Sequence, residues 1–315
     1  VNRIAVVGDL HLSMGTETRD LPVLDTIAKL EYIRDYCVSN EVRLLLLLGD
    51  FWDNLNQYFP ASLIRKIADI LSDFSRVFFL MGNHDYHKSL GLDWKDEPIG
   101  ILMGLVPGMS LLTEEAIGKY TLIGKNWKKD YDRNLLSDFE CPKGYNPDNT
   151  VIAVHAYLLP KSENVMMKFH QLEDIENPVN TYMVGHYHKR LGYVKTQNTK
   201  AIIPGSLTRI KSSEDHIPAT YVMDMDSDDL FGSCVCLEIP ARDGNTVFKD
   251  MSEEKHIKRL NEDIKDFVKT LNRETKVMTR DDFFDAFAEI SALDFPEENI
   301  KLNKYANHIL DTNEI

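Results

Sequence analysis

Residues Arg43–Asp53 read RLLLLLGDFWD: five consecutive leucines, a glycine, and aspartates at 50 and 53. An unbroken apolar run closed by Gly-Asp reads as a buried strand that ends where acidic residues begin. Working outward, RIAVVGDLH (Arg3–His11) has the same form. Between the two, Val23 to Cys37 keeps helical spacing through Leu24, Ile27, Leu30 and Ile33. Downstream, Ala61 to Phe74 reads as a second helix and VFFLMGNHD (Val77–Asp85) as a third strand. This β-α-β-α-β opening predicts an α/β core.

Further along, apolar runs come without a helix between every pair. YTLIG (120–124), TVIAV (150–154), TYMVG (181–185), AIIPG (201–205) and ATYVMDM (219–225) suggest a second sheet, or a sandwich of two sheets with helices outside. After Pro240 the composition shifts. ARDGNTVFKDM reads as a connection, and Ser252 can cap a helix with the stripe Ile257, Leu260, Ile264, Phe267, Val268 and Leu271. Thr279 can start another carrying Phe283, Phe284, Phe287 and Ile290. Such faces pack on their own protein more often than on a partner.

The 315 residues are 43% hydrophobic and 27% charged, ordinary for a globular protein. The longest apolar run, Leu44 to Leu48, is far too short to cross a membrane. The chain opens directly as a strand, and its four cysteines (Cys37, Cys141, Cys234, Cys236) form no CxxC pair, so a reducing, cytoplasmic setting is expected. Cys234 and Cys236 alternate on an apparent strand and are expected to fill one face of it. A net charge of -14 argues against a general nucleic-acid coating. Residues 189–211 run the other way, with Lys189, Arg190, Lys195, Lys200, Arg209 and Lys211 and no acid. A charge run of this kind is a solvated face or a phosphate contact.

Ligands and catalytic groups of open α/β sheets collect at the C-terminal ends of strands. There the sequence offers Asp9 and His11; Asp50 and Asp53; Asn83, His84 and Asp85; then His155. It adds His186 and His188 from YMVGHYHKRLGY (182–193). If strand geometry continues through Gly185, both of these imidazoles point the same way. Each item alone has an ordinary reading, since Asp after Gly is a common turn and a lone His is usually hydrogen-bonded structure. Five strand ends together are harder to dismiss. Burying several carboxylates and imidazoles in one place is costly unless metal ions compensate.

In these motifs the sequence resembles the calcineurin-like metallophosphoesterases. Their pattern of DxH, GDxxD, GNHD, a lone H and GHxH corresponds to Asp9-Leu-His11, Gly49-Asp50-Phe-Trp-Asp53, Gly82-Asn83-His84-Asp85, His155 and Gly185-His186-Tyr-His188. The resemblance covers residues 1–225 and implies a two-sheet sandwich flanked by helices, with 226–315 forming a small capping region and C-terminal helices. It implies one metal held by Asp9, His11, Asp50 and His188, and a second held by Asp50, Asn83, His155 and His186, with Asp50 bridging. Nitrogen and oxygen donors without thiolate suit manganese, iron or zinc without choosing among them, and manganese is the ion expected from the resemblance. Paired cations activate water for attack on phosphorus and stabilise charge on the attacking and leaving oxygens. His84 is then free to protonate the leaving oxygen or to bind the phosphoryl group. Asp53 and Asp85 are expected to orient ligands or brace loops.

The second motif reads GDFWDNL and lacks the Asp-Arg pair of the protein phosphatases. The order GNHD, GHYH, a strand and then Pro204-Gly-Ser206, followed by β and helical segments, resembles the SbcD-type repair and recombination nucleases, phage relatives included. That resemblance implies DNA as substrate, exonuclease activity, an SbcC-like ATPase partner docked through the C-terminal helices, and a homodimer. Lys189, Arg190, Lys195 and Arg209 would then grip phosphates. Trp127-Lys128-Lys129 would add a stacking or phosphate contact, or else a packed Trp beside solvated lysines. Two other readings stay open: an enzyme acting on a small phosphodiester or phosphomonoester, and a non-catalytic interaction subunit.

Overall fold

The computed structural model describes residues 2–14, 22–55, 57–85, 95, 97–128, 136–163, 170–210 and 217–242. The first half builds β1 (Arg3–Val7), α1 (Pro22–Ser39), β2 (Leu44–Leu47), α2 (Ala61–Leu71), β3 (Arg76–Phe79), α3 (Pro98–Leu105), β4 (Met109–Leu111), β5 (Glu114–Ile117) and β6 (Tyr120–Lys125). It continues with β7 (Thr150–His155), β8 (Leu158–Leu159), β9 (His170–Gln171), β10 (Thr181–Gly185), β11 (Gly192–Lys195), β12 (Lys200–Ile203), β13 (Ala219–Asp224) and β14 (Val235–Glu238). One six-stranded sheet runs β14-β13-β1-β2-β3-β4 and the other β11-β12-β10-β7-β6-β5. The short β8 and β9 pair separately.

The leucine run explains the layering. Leu46 and Leu48 point into the seam between the sheets with Ile4, Val6, Phe78 and Leu80, meeting Leu122, Val151, Met183 and Ile202 of the second sheet. Leu45 and Leu47 take the opposite face with Ala5, Val7, Val77 and Phe79, under Ile27, Leu30 and Ile33 of α1 and Ile64, Ile67 and Leu71 of α2. Period-2 alternation therefore buries both faces of the first sheet, which is why its central strand is leucine throughout.

The expected sandwich is present, with helices over only one of its outer faces among the described residues. The outer face of the second sheet, carrying Ile152, Val154, Tyr182, Val184 and Ile203, is covered by loop residues such as Phe139, Leu158, Leu172 and Ile175. β14 joins the first sheet as an edge strand antiparallel to β13, so that sheet continues past residue 225. The pair of cysteines does not fill one face as expected: Cys234 precedes β14 and packs on the inter-sheet core, while Cys236 lies in β14 and is exposed. Cys236 lies opposite Tyr221 of the inter-sheet core, so alternation gives its face correctly, but at the edge of the sheet that face is left uncovered. The expected C-terminal helices, and with them most of 226–315, lie outside the described residues. No helix among the described residues is long and apolar enough to cross a membrane.

Candidate metal centre

The parallel strands β1, β2, β3, β7 and β10 end on the same rim, and each delivers its polar residues there. The loops after β1 and β2 are laced together: the backbone N–H groups of Leu10 and His11 both donate to the Asp50 carbonyl, at 3.1 and 2.9 Å. Asp9, His11, Asp50 and His188 bring ligand atoms within 4.8 Å of one another, and so do Asp50, His155 and His186. Asp50 belongs to both groups. Oδ1 of Asn83 reaches the second, 3.4 Å from Nε2 of His155.

Backbone strain marks the same places. His11, Asp50 and His186 have φ of 44, 47 and 79°, a left-handed region that side-chain-bearing residues seldom occupy. Strain of about 1–3 kcal/mol per residue persists only where the surroundings enforce it, and it clusters at functional sites. His186 corrects the alternation argument. β10 ends at Gly185 and the chain turns at His186, so His186 and His188 converge on the centre from a turn and enter different donor groups.

Two glycines make the close approach possible. A Cβ on Gly49, whose φ is +104°, would strike the His155 ring, and one on Gly82 would strike the Asp50 carboxylate and backbone N. Glycine is needed there because the neighbouring ring and carboxylate leave no room for a side chain.

Hydrogen bonds orient the side chains. His155 donates from Nδ1 to the Leu48 carbonyl at 2.7 Å, which fixes its tautomer and turns Nε2 toward Asp50, 3.3 Å away. His84 likewise donates from Nδ1 to the Asp53 carbonyl at 2.7 Å, while its backbone N–H donates to Asp50 at 2.8 Å. Asp9 accepts the His186 backbone N–H at 3.1 Å. Asp53 lies 3.7 Å from Nδ1 of His11. Asp85 is buried and accepts backbone N–H bonds from Phe51, Trp52 and Gly82, at 2.9, 3.2 and 2.9 Å, so it ties the second motif to the third.

Charge is divided unevenly. Burial raises the Asp9 carboxyl to about 6, against the pull of His155. Burial also penalises Asp50, yet His155, His11 and His84 hold it far below the usual carboxylate range. Burial opposes charge on His155, but Asp50 and Asp9 lift it to about 9. Burial and the neighbouring imidazoles push His186 down to about 3, and burial likewise takes His11 well below its ordinary value. Burial and the Asp50 charge raise Asp85 to about 7.

These residues fit divalent cations. Oδ2 of Asp50, Nδ1 of His11 and Nδ1 of His186 are buried without a hydrogen-bond partner, and Nε2 of His11 faces Nε2 of His188 at 3.0 Å. Lone pairs converging without protons to share call for a cation. The donors are nitrogen and oxygen, which suits manganese, iron or zinc without choosing among them.

The residues expected to grip phosphate are arranged otherwise. Lys189 pairs with Glu163 at 3.1 Å and Arg190 with Glu238 at 2.9 Å. The stretch is acid-free in sequence but not in space, because strand pairing and loops bring acids to it from elsewhere. Lys195 is exposed on β11, and Arg209 donates to the Arg242 carbonyl at 3.1 Å. Lys128 pairs with Asp138. Two participants escaped sequence reasoning. The Tyr157 ring lies 4.0 Å from that of His186, and the Ser206-Leu207 backbone binds the Asp9 and His188 carbonyls. Only Pro204-Gly-Ser206 hinted at the latter.

A rim of buried aspartates and histidines at the strand ends of a two-sheet sandwich defines a metal-dependent hydrolase. The calcineurin-like phosphoesterase profile matches residues 2–190, more than half of the chain, and the chain belongs to that family. It is a metallophosphoesterase. No match is found among curated proteins. Among solved structures, Yfce, a phosphoesterase from E. coli, is similar at 12% identity and TM-score 0.37, covering 76% of this chain and 100% of its own. A single mutant of Vps29 from Entamoeba histolytica is similar at 14% identity and TM-score 0.36, covering 74% and 96%.

Proposed function

We propose that the protein is a two-metal phosphodiesterase that hydrolyses DNA, the exonuclease subunit of an ATPase-nuclease complex for repair or recombination. The observation that carries the chemistry is the pair of donor groups sharing Asp50. In this reading Asp9, His11, Asp50 and His188 hold one cation, and Asp50, Asn83, His155 and His186 the other. Bound manganese supplies Lewis acidity toward the phosphoryl group and activates water. His84, held through Nδ1 by the Asp53 carbonyl, presents Nε2 to protonate the leaving oxygen. The Asp53 carboxylate steadies His11, and Asp85 fixes the two loops that carry Asp50 and Asn83.

DNA as substrate is supported by the order of GNHD, GHYH and Pro204-Gly-Ser206 and by the cations following His188. The SbcC-like partner rests on the helical pattern of residues 252–290, and the homodimer on the same resemblance. One observation favours a second reading, hydrolysis of a small phosphodiester or phosphomonoester: Lys189 and Arg190 are engaged by Glu163 and Glu238. Assays with manganese on duplex DNA, bis-p-nitrophenyl phosphate and p-nitrophenyl phosphate decide between them. Release of nucleotides from duplex DNA is expected. Turnover of the small esters with none on any DNA contradicts the nuclease reading and favours the second.

A further inference from the structure

We propose that Lys29 is a positioning residue for one half of the metal centre, a buried brace that fixes Asp9 and His188 through the Ser206-Leu207 backbone. The inference rests on reading Asp9, His11, Asp50 and His188 as the ligand set of one cation.

Lys29 lies in α1 with its side chain 4% exposed, where an apolar residue would suit a helix face packed on a sheet. Lysine is almost never buried this far without partners. Its ammonium lies 2.7 Å from Asp25, one turn earlier, and donates to the Leu207 carbonyl at 2.9 Å. The same dipeptide reaches the centre from its other side. Leu207 N–H donates to the Asp9 carbonyl at 2.8 Å and Ser206 N–H to the His188 carbonyl at 2.9 Å. Gly205, with φ of 76°, allows this approach, since a Cβ there would lie 2.6 Å from the His188 carbonyl oxygen. One residue further on, the buried Thr208 hydroxyl meets that of Thr26 on α1 at 2.5 Å.

A helix with no residue in the centre is thus bolted to the strip that holds two ligands of one cation. Replacing Lys29 removes the ammonium donor from the Leu207 carbonyl and the nearer counter-charge from the half-buried Asp25, which keeps Arg242 at 3.5 Å. His155 and Asn83 hang on other supports: His155 on the Leu48 carbonyl, Asn83 on the GNHD turn that Asp85 ties down. The effect of Lys29 therefore falls on one half of the centre.

The test is a manganese titration of the full chain, read by calorimetry and by electron paramagnetic resonance, on wild type, Lys29→Met, Thr208→Val and Asp9→Asn. Wild type is expected to take up two ions in resolved steps and to show a spin-coupled pair. Lys29→Met is expected to weaken by about 10–100-fold the step that Asp9→Asn abolishes, as loss of an outer support does. The other step keeps its affinity, and at intermediate manganese the spectrum becomes that of an isolated ion. Thr208→Val removes one buried hydroxyl contact at nearly constant volume, and weakening of the same step in it decides the matter if Lys29→Met fails to fold. Unchanged steps, or equal weakening of both, overturn the proposal. Wild-type protein that binds fewer than two ions defeats the two-cation reading itself, and the brace falls with it.

Discussion

His84 and His155 both donate from Nδ1 to a backbone carbonyl, yet their surroundings give them different work. Asp50 stands 3.3 Å from Nε2 of His155, whereas the hydrogen bond from His84 to Asp50 is made by its backbone N–H. His84→Asn is therefore expected to keep its metal content and to lose turnover by a factor of about 10² or more, measured by metal analysis beside steady-state kinetics. His155 yields a pH dependence. With its imidazole lifted to about 9, cation binding at lower pH must expel that proton. Apparent manganese affinity is expected to rise by about tenfold per pH unit between roughly 6.5 and 9, then level off. Calorimetry in buffers of different ionisation enthalpy should register one proton released per chain in that window.

At the scale of elements, strand ends were the most legible part of the sequence. Gly49-Asp50 and Gly82-Asn83 close apolar runs whose shortness and flanking glycines favour strands of a buried sheet over helix. What sequence could not supply was the backbone course beyond the strands. The turn at His186, with φ of 79°, is set by the loops packed around Gly185 and not by local alternation. The role of Asp85 was visible only as a choice between bracing and orienting; its three backbone donors make it a brace. Asp85→Asn turns an amide NH2 toward one of those donors, so a loss of about 1–3 kcal/mol in denaturant unfolding is expected. The sign of its own titration follows from burial. Its folded pKa of about 7 exceeds the usual carboxylate value, so the folded state holds the extra proton between them. In the metal-free protein, Asp85 contributes a loss of stability as pH rises from about 4 to about 7, and Asp85→Asn is expected to flatten that part of the profile.

For the whole molecule, a net charge of -14 and a basic strip from residue 189 oppose each other, and the structure moderates the strip further by pairing Lys189 and Arg190 with acids. Linear sequence could not reveal those pairs, because Glu163 and Glu238 come from segments far away in the chain. Lys195→Glu is expected to weaken DNA cleavage and its salt dependence while leaving bis-p-nitrophenyl phosphate turnover unchanged, as a phosphate contact remote from the chemistry does. Equal loss on both substrates contradicts a DNA-gripping role for that residue. On the proposed function one carboxylate, Asp50, joins two donor groups into a single binuclear centre. Its most direct measurement is anomalous diffraction from manganese-soaked crystals of the wild type and Asp50→Asn. Two adjacent peaks with Asp50 between them, lost or reduced to one in the variant, are the expected result. No peak at these side chains, or two peaks that persist without the Asp50 carboxylate, would contradict it.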